Sequence, residues 1–248
     1  MKNQEVTKYR NELNMIPLTD FTPIEIDLFF SICTRMKEQG TGKVKHTFED
    51  LKALSEYRKH TTIEDFADRL QVVYQKMQTL TYRRTENKRR ENFVLFPYFV
   101  IDEQDQYVEI SINQDLIHIL NDLTGNFTIF ELKEFTSIQS AYSKNAFRLL
   151  KQYKSTGLYR VSLDEFKELL DIPYTRMCDI DSRVLKPIQK DLSDSFSNLK
   201  IEKKKKGRKV VGLEFTFDIE DHKKKKDKKE IKVIEQLTQE KSKEMWDF

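Results

Sequence analysis

Apolar residues recur along this chain at steps of three and four, then at steps of two, and the whole alternation happens twice. Phe21-Thr22-Pro23-Ile24 opens an apolar-periodic run that stops near Gly40, and Phe135-Thr136-Ser137-Ile138 opens one that stops near Gly157. The spacing predicts a helix in each place, ended by a residue that tolerates the left-handed conformation. Next come Thr47-Phe48-Glu49-Asp50-Leu51-Lys52-Ala53-Leu54 and Ser162-Leu163-Asp164-Glu165-Phe166-Lys167-Glu168-Leu169, alike in character at nearly every position. Ser162 with Glu165 makes a capping box and Thr47 with Asp50 a weaker one, so each starts a short helix. A longer helix follows in each copy, with Ile63, Phe66, Leu70, Val73, Met77 and Leu80 on one face, and Val184, Ile188, Leu192, Phe196 and Leu199 on the other's.

Each longer helix then runs into two extended segments around a basic turn. In the first copy these are Leu80 to Arg84 and Asn92 to Val100, flanking Lys88-Arg89-Arg90; in the second, Leu199 to Glu202 and Val210 to Phe217, flanking Lys203 to Arg208. Helix, short helix, longer helix and a ribbon with a charged tip is the order of a winged helix-turn-helix. The offset between copies is 114 to 119 residues. The predicted fold is therefore α+β, two winged helix-turn-helix domains in tandem. Between them Tyr107 to Ile112 alternates as a strand should, and Asp115 to Leu123 reads as a short helix before Gly125-Asn126. That places an N-terminal domain at 1–124, a C-terminal domain at 125–218 and a flexible Lys-rich tail at 219–248.

Charge sharpens this picture. The net charge of the 248 residues is only +3, yet residues 198 to 232 hold 14 Lys or Arg against 7 Asp or Glu, which leaves the remainder negative. A positive field confined to one window argues for a directed polyanion partner, double-stranded DNA. No apolar run approaches the roughly 20 residues of a membrane span, so no membrane partner is expected and the chain is read as cytoplasmic. Cys33 and Cys178 stand far from other metal-ligating residues and are read as idle thiols, with no metal and no cofactor. The histidines, His46, His60, His118 and His222, form no His-x-His pair of a nicking enzyme, and Leu213 follows Gly212 where a phosphate-binding loop needs Lys. A non-enzyme is expected.

In a helix-turn-helix the third helix enters the major groove, so it needs an apolar inner stripe and a hydrogen-bonding outer one. The stretch from about Ser182 to Phe196 has both, with Arg183, Lys186 and Lys190 at steps of three and four and Gln189 beside them. Pro187 lies inside it, so the helix either bends or becomes regular later. Lys203, Lys204, Lys205, Lys206, Arg208 and Lys209 surround Gly207 and suit a wing laid along phosphates. Ser143, Lys144, Arg148 and Lys151 on the second copy's first helix are candidate phosphate contacts. The first copy's third helix carries Glu64, Asp65 and Asp68 against Arg69 and Lys76, a poorer reader. Its basic candidates are Arg58 and Lys59 before that helix, and Arg83, Arg84, Lys88, Arg89 and Arg90 in the ribbon.

Several stretches carry a family resemblance: Phe127 to Leu132, Ser140 to Lys154, Ile180 to Ile188, Lys206-Gly207-Arg208-Lys209, and Leu28 to Met36. They are similar to the iteron-binding replication initiators of bacterial plasmids, over roughly residues 8 to 217. A proline after Val-Leu-Lys is usual in that family. The resemblance implies monomers bound to directly repeated iterons, the second domain reading one major groove and the first contacting the other end of the site. It also implies recruitment of the host initiator and replicative helicase, opening of A+T-rich DNA, and homodimers formed through the first domain that repress the initiator's own promoter. A winged-helix transcriptional regulator without a replication role would show the same DNA-facing physics.

Overall fold

The computed structural model describes residues 5–18, 20–57, 61–86 and 88–219, with backbone alone for 83–86. Arg58, Lys59, the side chains of Arg83 and Arg84, and the Lys-rich tail from residue 220 lie outside the described residues. The first unit runs β1 (Val6–Arg10), a 3-10 turn (Asn11–Met15), α1 (Pro23–Met36), β2 (Val44–Thr47), α2 (Phe48–Leu54) and α3 (Ile63–Thr79). It continues with β3 (Thr81–Glu86), β4 (Arg89–Val94), β5 (Tyr98–Asp102), β6 (Tyr107–Ser111) and a 3-10 turn (Gln114–Ile119), where the sequence suggested a short helix. The second unit runs β7 (Phe127–Glu131), α4 (Leu132–Thr136), α5 (Ala141–Gln152), β8 (Leu158–Ser162) and α6 (Leu163–Leu169). After these come α7 (Met177–Ile180), a π-turn (Asp181–Leu185), α8 (Lys186–Asp191), β9 (Lys200–Lys206) and β10 (Lys209–Thr216).

The duplication is visible in the strand orders. One three-stranded sheet is ordered β2-β6-β5 and the other β8-β10-β9, so each unit wraps helix, strand, two helices and a returning ribbon in the same sense. This pairing corrects the assignment of the first wing. The ribbon that completes the first sheet is β5–β6, and the basic β3–β4 ribbon is a separate two-stranded hairpin inserted between α3 and β5. Leu95-Phe96-Pro97 breaks what reads as one long strand from Asn92 to Val100, because a proline supplies no N–H to a ladder. The true first wing turns at Glu103 to Gln106, between Asp102 and Tyr107, and is acidic.

The caps fall largely where the side-chain chemistry puts them. Thr47 and Ser162 accept from the backbone N–H groups of Asp50 and Glu165, each at 3.1 Å. The long helix of the second unit starts later than its apolar pattern suggests. Phe135 and Thr136 close α4 rather than open a helix, and Ser140 caps α5. Gly40 and Gly157 both have positive φ, but they lie past the helix ends, where Lys37 caps α1 and Tyr153 caps α5. At Gly157 a Cβ would also collide with the Phe217 carbonyl oxygen, where the end of β10 closes over β8. Gly157→Ala is therefore expected to cost about 1–3 kcal/mol, read as a lowered urea midpoint.

Helix α1 is apolar on almost every side, so it must be covered on almost every side. Ile26, Leu28, Phe29, Phe30, Ile32, Cys33 and Met36 are all buried, against β1, α2, α3, α4 and α5. Strand β1 pairs antiparallel with β7, Val6 opposite Glu131 and Arg10 opposite Phe127, across the division drawn at 124/125. A chain of mostly edge-to-face aromatic contacts runs from Phe29 through Phe30, Phe130 and Phe147 to Phe196, making one core of the two units. Burying each of these rings contributes about 1.5–3 kcal/mol.

Candidate nucleic-acid interface

The helix-turn-helix of the second unit is α6, a turn through Ile172-Pro173-Tyr174, and the continuous helix α7–π-turn–α8. Ile180, Val184, Leu185, Ile188 and Leu192 face the core, so the helix cannot roll without exposing them. Arg183, Lys186, Gln189 and Lys190 are all exposed on the opposite side, as their spacing predicts. The helix begins at Met177 rather than Ser182 and ends at Asp191, short of Phe196.

Pro187 is absorbed in a way that the sequence did not suggest. The Lys186 N–H reaches back five residues to the Asp181 carbonyl, which widens the turn just ahead of the proline ring. Pro187 then follows this widened turn, which makes room for its ring and for the ladder bond it cannot make. The helix thus neither breaks nor starts again.

The wing is fixed to this helix. Along β9, Ile201 packs on the core and Lys203 lies on the same face, where its Nζ meets Asp181 at 2.5 Å. Lys204 lies on the other face, between Glu202 at 3.1 Å and Glu214 at 2.7 Å, and Arg160 also grips Glu214. These acidic neighbours raise the Lys204 pKa above the usual lysine range. Lys205, Lys206, Arg208 and Lys209 are exposed and have no ion pair among the described residues. They surround Gly207, whose φ of 62° lets the strands turn with Lys206 opposite Lys209. Of the wing cations, these four carry the field that is free to meet phosphate, while Lys203 and Lys204 are partly spent on carboxylates.

The expectation for the first helix of the second unit fails. Ser143, Lys144, Arg148 and Lys151 are all buried and cannot reach a phosphate in this structure. Ser143 donates to Asp191 at 2.7 Å, tying α5 to the end of α8. Lys144 meets Asp27 of α1 at 2.6 Å and the Phe135 carbonyl at 2.8 Å. Arg148 donates to the carbonyls of Leu13 and Ile16 and to Asn145, with its guanidinium over Phe30. Lys151 pairs with Glu134 at 3.1 Å and lies near the Phe147 and Phe196 rings. A helix flanked by α1, β7 and α8 has little solvent face, so its cations become internal ties.

In the first unit, Arg69 and Lys76 turn back onto the buried carboxylate of Glu25, at 3.3 and 2.7 Å. Burial opposes ionisation there, yet Lys76 and the Thr22 amide hold the Glu25 carboxyl below the usual carboxylate range. What α3 leaves exposed at its start is Glu64, Asp65 and Asp68, and the nearby wing is acidic as well. Among the described residues, the start of α3 and the wing of this unit thus present carboxylates. Its candidate basic element is the inserted β3–β4 hairpin, where Lys88, Arg89 and Arg90 are exposed and Arg89 pairs with Glu91 at 2.8 Å.

Sequence reasoning passed over Arg176, exposed at the start of α7 and bonded to Asp179 at 2.7 Å. Placing the helix start at Ser182 hid it; the signal was Asp179, three residues on, as a helix-start carboxylate. Cys33 is buried, which pushes its thiol pKa far up, and Cys178 is exposed. Among the described residues no three His, Cys, Asp or Glu side chains gather as a metal site, and no helix is long and apolar enough to cross a membrane.

Comparison with known proteins gives a consistent result. Residues 6–151 match the model of the first winged-helix domain of the initiator replication proteins, and residues 162–217 that of the second. A probable replication protein of Bifidobacterium longum (strain NCC 2705) is 34% identical over 218 residues, covering 87% of this chain and 73% of that protein. The crystal structure of Pi initiator protein in complex with iteron DNA has a TM-score of 0.69 over 89% of this chain and 100% of that one. At 17% identity, this last likeness is one of fold.

Proposed function

The chain belongs to the family of initiator replication proteins, and from that membership we propose that it starts plasmid replication by binding repeated duplex DNA sites at an origin. The observation that carries the DNA-binding part is the exposed face of the second unit. Arg183, Lys186, Gln189 and Lys190 stand on a helix held rigidly by its core stripe, next to a wing whose tip cations are free. Such a helix fits a major groove and reads base edges, and the wing lies along the backbone.

The two units divide this work unequally. The second, placed at 125–218, reads sequence; the first, placed at 1–124, touches backbone through Lys88, Arg89 and Arg90 on its inserted hairpin. The protein acts by binding in the bacterial cytoplasm, with no catalytic step of its own. The family resemblance supports host initiator and replicative helicase as partners, and a homodimer joined through the first unit as a repressor. The transcriptional-regulator reading explains the same face but not the match to both initiator domains.

Two experiments test this. Supplied in trans, the chain should maintain a plasmid that carries its origin but no initiator; failure of that plasmid to replicate would contradict the initiator role. Arg183→Ala should cost roughly 1–3 kcal/mol on the cognate repeat with little change on random DNA, measured by titration. An equal loss on both would reduce Arg183 to a phosphate contact.

A further inference from the structure

Arg183 has an aromatic neighbour on the protein itself. Its guanidinium carbon lies 5.2 Å from the centre of the Tyr174 ring, within cation–π range. Tyr174 follows Pro173 in the turn between α6 and α7, half-buried and packed on the core, so the ring has little freedom. Beside it stands Tyr142, from the first turn of α5. Burial and the adjacent Tyr174 hydroxyl push the Tyr142 pKa above the usual phenol range. The next two residues, Ser143 and Lys144, fasten α5 to Asp191 and Asp27, so Tyr142 stands on a fixed base. Lys186 and Lys190, on the same exposed stripe, have no aromatic partner among the described residues.

An arginine fork that meets both acceptors of a guanine must first be oriented, and a freely rotating side chain loses its rotamer freedom on docking. A ring that already holds the guanidinium removes part of that loss. We infer that Tyr174 is a specificity-positioning residue, its ring holding Arg183 ready for a guanine edge. This rests on the reading of α7–α8 as the base-contacting helix. Tyr174 acts through Arg183 and does not itself touch a base.

The test uses a duplex enriched by the wild-type chain from a random library, compared with a scrambled duplex of equal length. Tyr174→Leu lowers the preference for the enriched duplex by about three- to tenfold and leaves affinity for the scrambled one unchanged, which also shows that the variant folds. Tyr174→Phe keeps most of the preference, because the ring remains. In an Arg183→Ala background, Tyr174→Leu has no further effect. If Tyr174→Leu loses as much in that background, Tyr174 does not work through Arg183 and the inference falls alone. If Tyr174→Phe loses as much as Tyr174→Leu, the ring alone does not hold Arg183 and the inference again falls. A wild-type chain that enriches no duplex overturns the reading of the helix, and the inference with it.

Discussion

Replacing Lys144 by Met should destabilise the chain by about 3–5 kcal/mol at pH 8. Lys144 and Asp27 form a buried pair at 2.6 Å that joins α5 to α1, and removing the cation strands a carboxylate in the core. Burial dominates the Asp27 carboxyl and lifts it from 3.8 to about 7 even with Lys144 alongside, and burial likewise lowers Lys144. The native state therefore holds more protons at Asp27 than the unfolded chain between those two values. Stability from this group falls as pH rises through that window. Below this raised value the native carboxyl holds its proton more readily, so at pH 5 the loss from Lys144→Met should be smaller than at pH 8. Urea unfolding at the two pH values checks this. Lys144→Met combined with Asp27→Asn should recover most of the loss at pH 8, since it removes both charges. An equal loss at both pH values would mean that Lys144 acts through its packing alone.

The second large effect is on DNA. Changing Lys205, Lys206, Arg208 and Lys209 together to Gln should weaken binding to any duplex by on the order of a thousandfold at 0.1 M salt. It should also flatten the dependence of log affinity on log salt by roughly 3–4, about 0.9 for each phosphate that is no longer neutralised. These residues are exposed and lie beyond the reach of the carboxylates that occupy Lys203 and Lys204. Lys203→Gln and Lys204→Gln should each change the slope by less, because each cation is already paired. Fluorescence anisotropy across a salt series separates the cases. An unchanged slope in the four-residue variant would remove the wing from the interface.

Much of this was readable from the residues, and the exceptions have physical causes. Caps and periodicity are local properties, so Thr47, Ser162 and the Val184-Ile188-Leu192 stripe announced their elements correctly. Strand pairing is not local. The β3–β4 and β5–β6 ribbons have similar alternation, and only the return of β6 onto β2 shows which one is the wing. Pro97 was the available clue, since it ends one ribbon before the other begins.

Lys144, Arg148 and Lys151 misled for a different reason. Their spacing opposite an apolar face is what a solvated helix shows, and helical periodicity does not say that α1, β7 and α8 cover both sides of α5. The counterpart was nonetheless visible: Asp27 is a lone charge amid Ile26, Leu28, Phe29 and Phe30, and a buried carboxylate needs a cation. The π-turn ahead of Pro187 had no such signal.

In the proposed complex two similar units behave differently: the α7–α8 helix meets bases, and α3, with its acidic start and acidic wing, does not. Site-specific photo-cross-linking tests this asymmetry most directly, with a benzophenone side chain in place of Lys186 in one protein and of Asp68 in another. Bound to a duplex the chain has enriched, the probe at 186 should form an adduct with a base and the probe at 68 should form none. An adduct at 68, or none at 186, would contradict it.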